Sequence, residues 1–296
     1  MNFKDQVITF RSDALDEGAL LVTRMSGVER MSGLFRFELE LICSDRELDL
    51  EAVLYAPARL GIAVTVAIGD GSFGRATREI AGVLAELEQG EEGQGFVKYH
   101  AVFVPKLWQL TRSFRSRIFL DVTVEDLVAA VLRADGLEPQ VDFEFALSRQ
   151  GNEGPSPSRA VYPQREYVVQ YEESDWDFVA RWLEHEGVHF HFVNDEGGAE
   201  QGSVEKVVFG DTPSAYTASP FEATLSYRPE TGGGGSAQGA GASGSEDAAA
   251  ASVVTRFRCR QQRLPRSVAV NDYNWRTPNV ELGLEVEVAA RGTGVQ

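Results

Sequence analysis

Hydrophobic and polar residues alternate strictly through "LFRFELELIC", where Phe35, Phe37, Leu39 and Leu41 are separated by Arg36, Glu38 and Glu40. A period of two puts the apolar set on one face of an extended chain, so the pattern predicts a half-buried strand. "LGIAVTVAIGDG" (60–71) reads as a strand running into a Gly-Asp-Gly turn. "GFVKYHAVFVPKLWQL" (95–110) reads as a further long strand, with Pro105 marking an edge or a bulge. To about residue 112 the chain is therefore predicted to be mostly β.

The period then changes. In "SRIFLDVTVEDLVAAVLRADGL", Leu127, Val128, Val131 and Leu132 form a helical stripe. Thr123 is the N-cap candidate, Asp126 stands where a capping box prefers Glu, and Gly136 lies just past the end. A Pro- and Ser-rich loop follows, "NEGPSPSRAVYPQ", and then the strand "REYVVQY", a helix over about 174–186, and the strands "VHFHFVN" and "EKVVFGD". This middle block mixes α and β. Residues 230–252, "ETGGGGSAQGAGASGSEDAAAAS", carry no apolar side chain larger than Ala and read as a flexible loop or linker. Strand patterns resume in "VVTRFRCRQQRL" and "LGLEVEVAAR".

Composition narrows the function classes. With 296 residues, 43% of them hydrophobic, the chain is long enough for one large or two to three ordinary domains. A formal charge of −17 argues against nucleic acid or an anionic membrane as the main partner, since both need a basic surface. No apolar run is long enough to span a bilayer, and "MNFKDQVITFRSDALDEG" lacks the features of a signal peptide. Synthesis and folding in the cytoplasm are expected. Cys43 and Cys259 have no ligand spacing and are expected to be two buried thiols. Arg256, Arg258 and Arg260, with Arg263 and Arg266 nearby, are expected to line one strand face and to pair with carboxylates in the fold or across a subunit contact.

Two motifs invite chemistry. His185-Glu186-Gly187-Val188-His189 fits the H-E-x-x-H spelling of zinc hydrolases, with Glu205 as a conceivable third ligand. That chemistry needs both histidines on one continuous helix. Trp176, Val179 and Leu183 keep a helical register that stops at Gly187, a typical residue just past a helix end; Val188, Phe190 and Phe192 then alternate with His189 and His191. The reading is a helix terminus followed by a strand, with the two histidines diverging, His189 and His191 on an exposed face, and Glu205 in an ordinary surface-strand setting. "GDGSFG" (69–74) matches a dinucleotide fingerprint but leads to no acidic residue suited to a ribose, so a hairpin turn is the simpler reading. Asp175, Asp177, Glu184 and Glu186 are read as the solvated face and charged first turn of their helix. No nucleophile elbow, P-loop or Cys-His pairing appears; no catalytic, cofactor-binding or metal-binding residue is assigned, and the zinc-dependent hydrolase stands as the alternative.

Several stretches together resemble one family, the spike proteins of type VI secretion systems (valine-glycine repeat protein G), whose N-terminal part is similar to the baseplate hub of contractile phages. They are "LFRFELEL" (34–41), "REIAGVLAELEQG" (78–90) leading to "YHAVFVPKLWQLTRS" (99–113), "SRIFLDVTVEDLVAAVL" (116–132), "REYVVQYEESDWDFVARWLEHEGVHFHF" (165–192) and "NDYNWRTPN" (271–279). The resemblance implies a mainly β fold with an α/β insertion, built on two similar β-barrels of the contractile-phage hub type. It places residues 78–90 on a barrel strand despite their helical spacing. The implied division is a first barrel over 1–112, an α/β domain over 113–212 and second-barrel strands over 213–296. A needle would follow, and the chain is expected to stop short of it. The implied role is structural: a homotrimer whose six barrels match a hexameric tube protein, with baseplate proteins and effectors as further partners. The expected route is assembly into the injection machine and secretion or delivery to a target cell.

Overall fold

A computed structural model describes residues 7–67, 73–93, 95–148, 162–195, 204–216, 226–227, 253–254, 256–260 and 265–287. They fall into two compact units, residues 7–216 in one and residues 226–227 and 253–287 in the other.

The first unit opens with β1 (Ile8–Ser12), β2 (Leu20–Val28), β3 (Arg36–Cys43), the short helix α1 (Leu50–Tyr55), β4 (Ala58–Ala67), β5 (Phe73–Glu92) and β6 (Val97–Val104). The strands form one six-stranded sheet in the order β1-β4-β5-β6-β3-β2, antiparallel throughout. The end strands β1 and β2 lie near each other without pairing, so the sheet curls into an open barrel round one core. Its interior holds Phe35, Leu39, Leu41, Leu60, Ile80 and Phe103, all fully buried. Each such side chain contributes about 1.5–3 kcal/mol of apolar burial. The strict alternation of β3 is what delivers Phe37, Leu39 and Leu41 inward while Arg36, Glu38 and Glu40 face water.

Strand β5 runs for 20 residues, pairing with β4 through 73–82 and with β6 through 83–92. Gly82 sits at the changeover, where a Cβ would collide with the carbonyl oxygen of Val104. The helical spacing of Ile80, Val83, Leu84 and Leu87 is thus overridden by pairing on both sides. Strands β4 and β5 are antiparallel neighbours, with Ala67 opposite Phe73, which is a hairpin and not a dinucleotide fold; the turn between them lies outside the described residues.

The strand expected to run to residue 110 ends at Val104. Pro105 cannot donate to a ladder and instead begins a 3₁₀ turn over Lys106–Thr111, which buries Leu107 and Leu110. Then come β7 (Phe114–Val122), α2 (Val124–Ala134), β8 (Phe143–Ala146), β9 (Arg165–Ser174), α3 (Asp175–Glu186), β10 (His189–Asp195) and β11 (Val204–Gly210). Thr123 caps α2 in a reciprocal box with Asp126, Asp serving where Glu is commoner. Strands β7 and β9 make a two-stranded antiparallel ribbon. Strands β10, β11 and β8 make a three-stranded sheet in which β11 and β8 are parallel. Leu127, Val128, Val131 and Leu132 of α2 and Phe178, Val179 and Leu183 of α3 share one core with Phe143, Phe190 and Phe209 of that sheet and Val168 of the ribbon. This core is separate from the barrel core, and Phe192 touches both.

The second unit contains the short parallel pair β12 (Ser226–Tyr227) and β13 (Val253–Val254) and the antiparallel hairpin β14 (Ser267–Asp272) and β15 (Leu282–Glu287). Every described residue from 265 to 287 is exposed, so these pairs do not by themselves close round a core. The predicted strand face bearing Arg256, Arg258 and Arg260 is not formed: residues 256–260 are exposed and irregular, and Arg266 pairs with Glu287 at 3.9 Å. Cys43 is buried, but Cys259 is exposed, against expectation, because its segment joins no core. Arg263 and the stretch 230–252 lie outside the described residues.

Candidate interaction surface

The ribbon of β7 and β9 is apolar on both faces. Its register sets Ile118 opposite Val169, Phe119 opposite Val168 and Leu120 opposite Tyr167. Side chains alternate along a strand, so the segments "IFL" and "YVV" send apolar groups both ways. Phe119 and Val168 point inward, Phe119 stacking on Phe178 of α3 at 5.6 Å. Outward lie Phe114, Ile118, Leu120, Tyr167, Val169 and Tyr171, between 39% and 69% exposed. Strands apolar on both sides are the signature of a sheet covered on both sides, and the described residues cover one. An exposed apolar face of this kind is a candidate contact surface.

The inner side explains why the ribbon holds its shape. Asp175, the first residue of α3, is fully buried, and its Oδ1 accepts from Arg117 Nη2 at 2.8 Å and Gln170 Nε2 at 2.7 Å. Its backbone N–H donates to the carbonyl of Ser113 at 2.8 Å. Arg115 pairs with Asp135 at the end of α2 and lies 3.5 Å from Asp175 Oδ2. Burial, with Asp175 nearby, holds the Asp135 carboxyl above its usual range although Arg115 pulls the other way. Asp175 was expected on a solvated helix face. Its partner arginines alternate with apolar residues on β7, and that interleaving was the available signal for a charge turned inward.

A second cluster fastens the α/β block to the barrel. The side-chain oxygen of Asn194 accepts the backbone N–H of Ala81 on β5 at 2.9 Å. Ser32, before β3, donates its N–H to the carbonyl of Phe190 at 2.9 Å and accepts the Phe190 N–H on Oγ at 3.3 Å. Glu205 Oε2 accepts the N–H of Lys106 at 3.0 Å, while Lys106 Nζ reaches Asp142 at 2.7 Å. Glu205 is therefore no ordinary surface carboxylate. Part of the residue still meets solvent, but burial of its carboxyl pushes the pKa up to about 8.

The zinc motif comes apart along the line of its secondary structure. Helix α3 ends at Glu186, and Gly187 takes the left-handed conformation at φ 73°, closing the helix with an N–H to the carbonyls of Glu184 and Leu183. His185 packs edge-on to Trp182 at 5.4 Å, with Arg165 Nη2 3.2 Å from its Nε2. Glu186 is taken by the same Arg165 at 2.6 Å. His189 instead lies against Tyr216, ring centres 4.6 Å apart, and shares no partner with His185. The face carrying His189 and His191 is half-buried, not exposed, because Tyr216 folds over it. Among the described residues no group of three or more His, Cys, Asp or Glu is arranged to hold a metal ion. None of their helices is long and apolar enough to cross a membrane.

Comparison with known proteins agrees with this architecture. The family model of the phage tail baseplate hub (GPD) matches residues 28–296. The type VI secretion system spike protein VgrG1b of Pseudomonas aeruginosa is 34% identical over 212 residues, covering 72% of this chain and 25% of that protein. VgrG1a of the same organism is 27% identical over 275 residues, covering 93% of this chain and 36% of that protein. The chain thus spans about a quarter to a third of the length of these relatives. The solved structure of the c3393 protein of E. coli, described as a component of the type VI secretion system with structural similarity to the T4 bacteriophage tail proteins gp27 and gp5, superposes with a TM-score of 0.56. It is 25% identical, over 75% of this chain and 52% of the other. They are spike proteins and a secretion-system component similar to phage tail proteins, and the mainly β fold with its α/β insertion fits that likeness. Over nearly its whole length, the chain belongs to the phage tail baseplate hub family.

Proposed function

We propose that this chain acts as the hub of a contractile injection spike, divided into a barrel over 1–112, an α/β domain over 113–212 and second-barrel strands over 213–296. It works by shape and contact: it trimerises, seats on a hexameric tube protein, contacts baseplate proteins, and carries a needle or effectors into a target cell. The observation that carries the reading is the outward face of Phe114, Ile118, Leu120, Tyr167, Val169 and Tyr171, apolar yet exposed in a single copy. A cyclic trimer covers such a face by setting it against a different surface of the next copy, so a second copy of this chain is the occupant. The ion-paired inner side, Arg117 on Asp175 and Arg115 on Asp135, ties the ribbon to the helices behind it and leaves the other face outward.

Light scattering on the chain and on Ile118→Glu/Tyr167→Glu tests this. A trimer at high concentration that the double variant reduces to a monomer, with unchanged circular dichroism, is the expected result. A monomer at every concentration, or a variant that associates as well as the parent, overturns the assignment. Binding of the parent chain to the purified tube protein tests the docking separately.

A further inference from the structure

His189, left over from the zinc motif, and His191 two residues on have an arrangement that the hub role does not use. His189 and His191 project from the same side of β10, and Tyr216 lies over both, at 4.6 Å from the first ring and 5.6 Å from the second. Tyr216 follows a 3₁₀ turn, Pro213–Ala215, whose last residue presses on Gly210; a Cβ at Gly210 would overlap Ala215 and stand 2.8 Å from His189 Nε2. Nε2 of His189 and both ring nitrogens of His191 are sealed from solvent without a hydrogen-bond partner. Three unpaired buried nitrogens in one place are uncommon and costly. Neutral rings packed on a phenol bear that cost. Two adjacent imidazolium ions would not.

We propose that Tyr216 and the His189/His191 pair form an acid-sensitive latch, closed over neutral imidazoles and opened by their protonation, which fastens the turn after β11 to the three-stranded sheet.

The charged groups facing the pair come from three elements. Glu144 on β8 favours protonation of His191 but is itself paired with Lys206 of β11 at 3.4 Å. Asp211, just after β11, favours protonation of His189 but already accepts from the Ser148 N–H at 2.8 Å and the Tyr162 hydroxyl at 3.2 Å. Burial outweighs both carboxylates, and His189 further opposes a charge on His191, so both rings titrate below the ordinary 6.5. The sign follows from linkage: a histidine whose folded pKa is depressed stabilises the closed form fully above the unfolded value, and that stability is lost as pH falls through 6.5 and below. The cheapest relief is for the short turn to lift, which hydrates both rings and leaves the core under Phe190 and Phe209 in place.

Amide hydrogen exchange read over residues 211–216 in the intact chain tests the latch. After correction for intrinsic exchange, protection there should fall about tenfold or more between about pH 7.5 and about pH 5.5, while α2 stays protected. His189→Phe/His191→Phe should hold its protection at both pH values, and Tyr216→Ala should lack it at both. Equal pH responses in the parent and the double variant overturn the proposal. Should the double variant fail to fold, imidazole titration by nuclear magnetic resonance decides: midpoints below 6.5 that coincide with the loss of protection support the latch, and midpoints at the free value overturn it. Protection at about pH 7.5 that rises with added zinc also overturns it, in favour of a two-histidine metal site.

Discussion

Asn194 of β10 reaches out of its own sheet to accept the backbone N–H of Ala81 on β5, 2.9 Å away, so one side chain completes the hydrogen bonding of a strand in the neighbouring barrel. Beside it Phe192 meets Phe35 edge-on at 5.2 Å, the aromatic contact where the two cores touch. Replacing Asn194 with Leu keeps the bulk and strands the Ala81 amide. Such an orphaned, partly buried donor costs about 1–3 kcal/mol. Urea denaturation should show a lower midpoint for Asn194→Leu with the slope unchanged.

The inward charge pair under the ribbon makes a steeper prediction. Asp175→Ala leaves Arg117 and Gln170 aimed at an empty position, and breaking a buried pair from one side costs about 3–5 kcal/mol. Asp175→Asn keeps an acceptor oxygen and loses less. Thermal melts of the two variants should rank in that order; equal melting points would mean that the network does not hold the ribbon.

Glu205 gives stability an unusual pH dependence. Its folded pKa of about 8 lies above the ordinary 4.5, so the folded chain keeps a proton that the unfolded chain gives up between those values. Stability from this group is present below 4.5 and declines as pH rises to about 8. Glu205→Gln retains an acceptor for Lys106 without the charge. It should match the parent near pH 4.5 and exceed it by about 1–3 kcal/mol above pH 8, measured by chemical denaturation across pH.

At the former zinc motif, Gly187 is the residue with a backbone role. Its φ of 73° disfavours any side chain, so Gly187→Ala should cost about 1 kcal/mol. His185→Ala should leave metal content after dialysis unchanged and below one zinc per chain. Stoichiometric zinc in the parent that His185→Ala removes would restore the hydrolase reading.

What the sequence disclosed tracks how local the cause is. The alternation of Phe35 to Leu41, the Thr123 box and the stop at Gly187 were legible because each depends on residues within one turn or one strand. The fates of Asp175 and Glu205 were not, because each is decided by partners far along the chain, Arg117 and Lys106. The interaction face lay between these cases. Of its two strands β9 was legible in "REYVVQY", whereas β7 was not read, because "SRIFLDV" runs straight into the helical stripe of α2; only the fold shows which side the helices take.

Strand β5 has a mechanical consequence. Twenty residues at ~3.3 Å each make a tie about 66 Å long, held by β4 along one half and by β6 along the other. A pull along its axis loads both ladders in shear, so many hydrogen bonds must fail together, whereas prying a hairpin apart from its open end breaks them in succession. Stretching this barrel between residues 73 and 92 should therefore rupture it at a higher force than peeling β2 from β3.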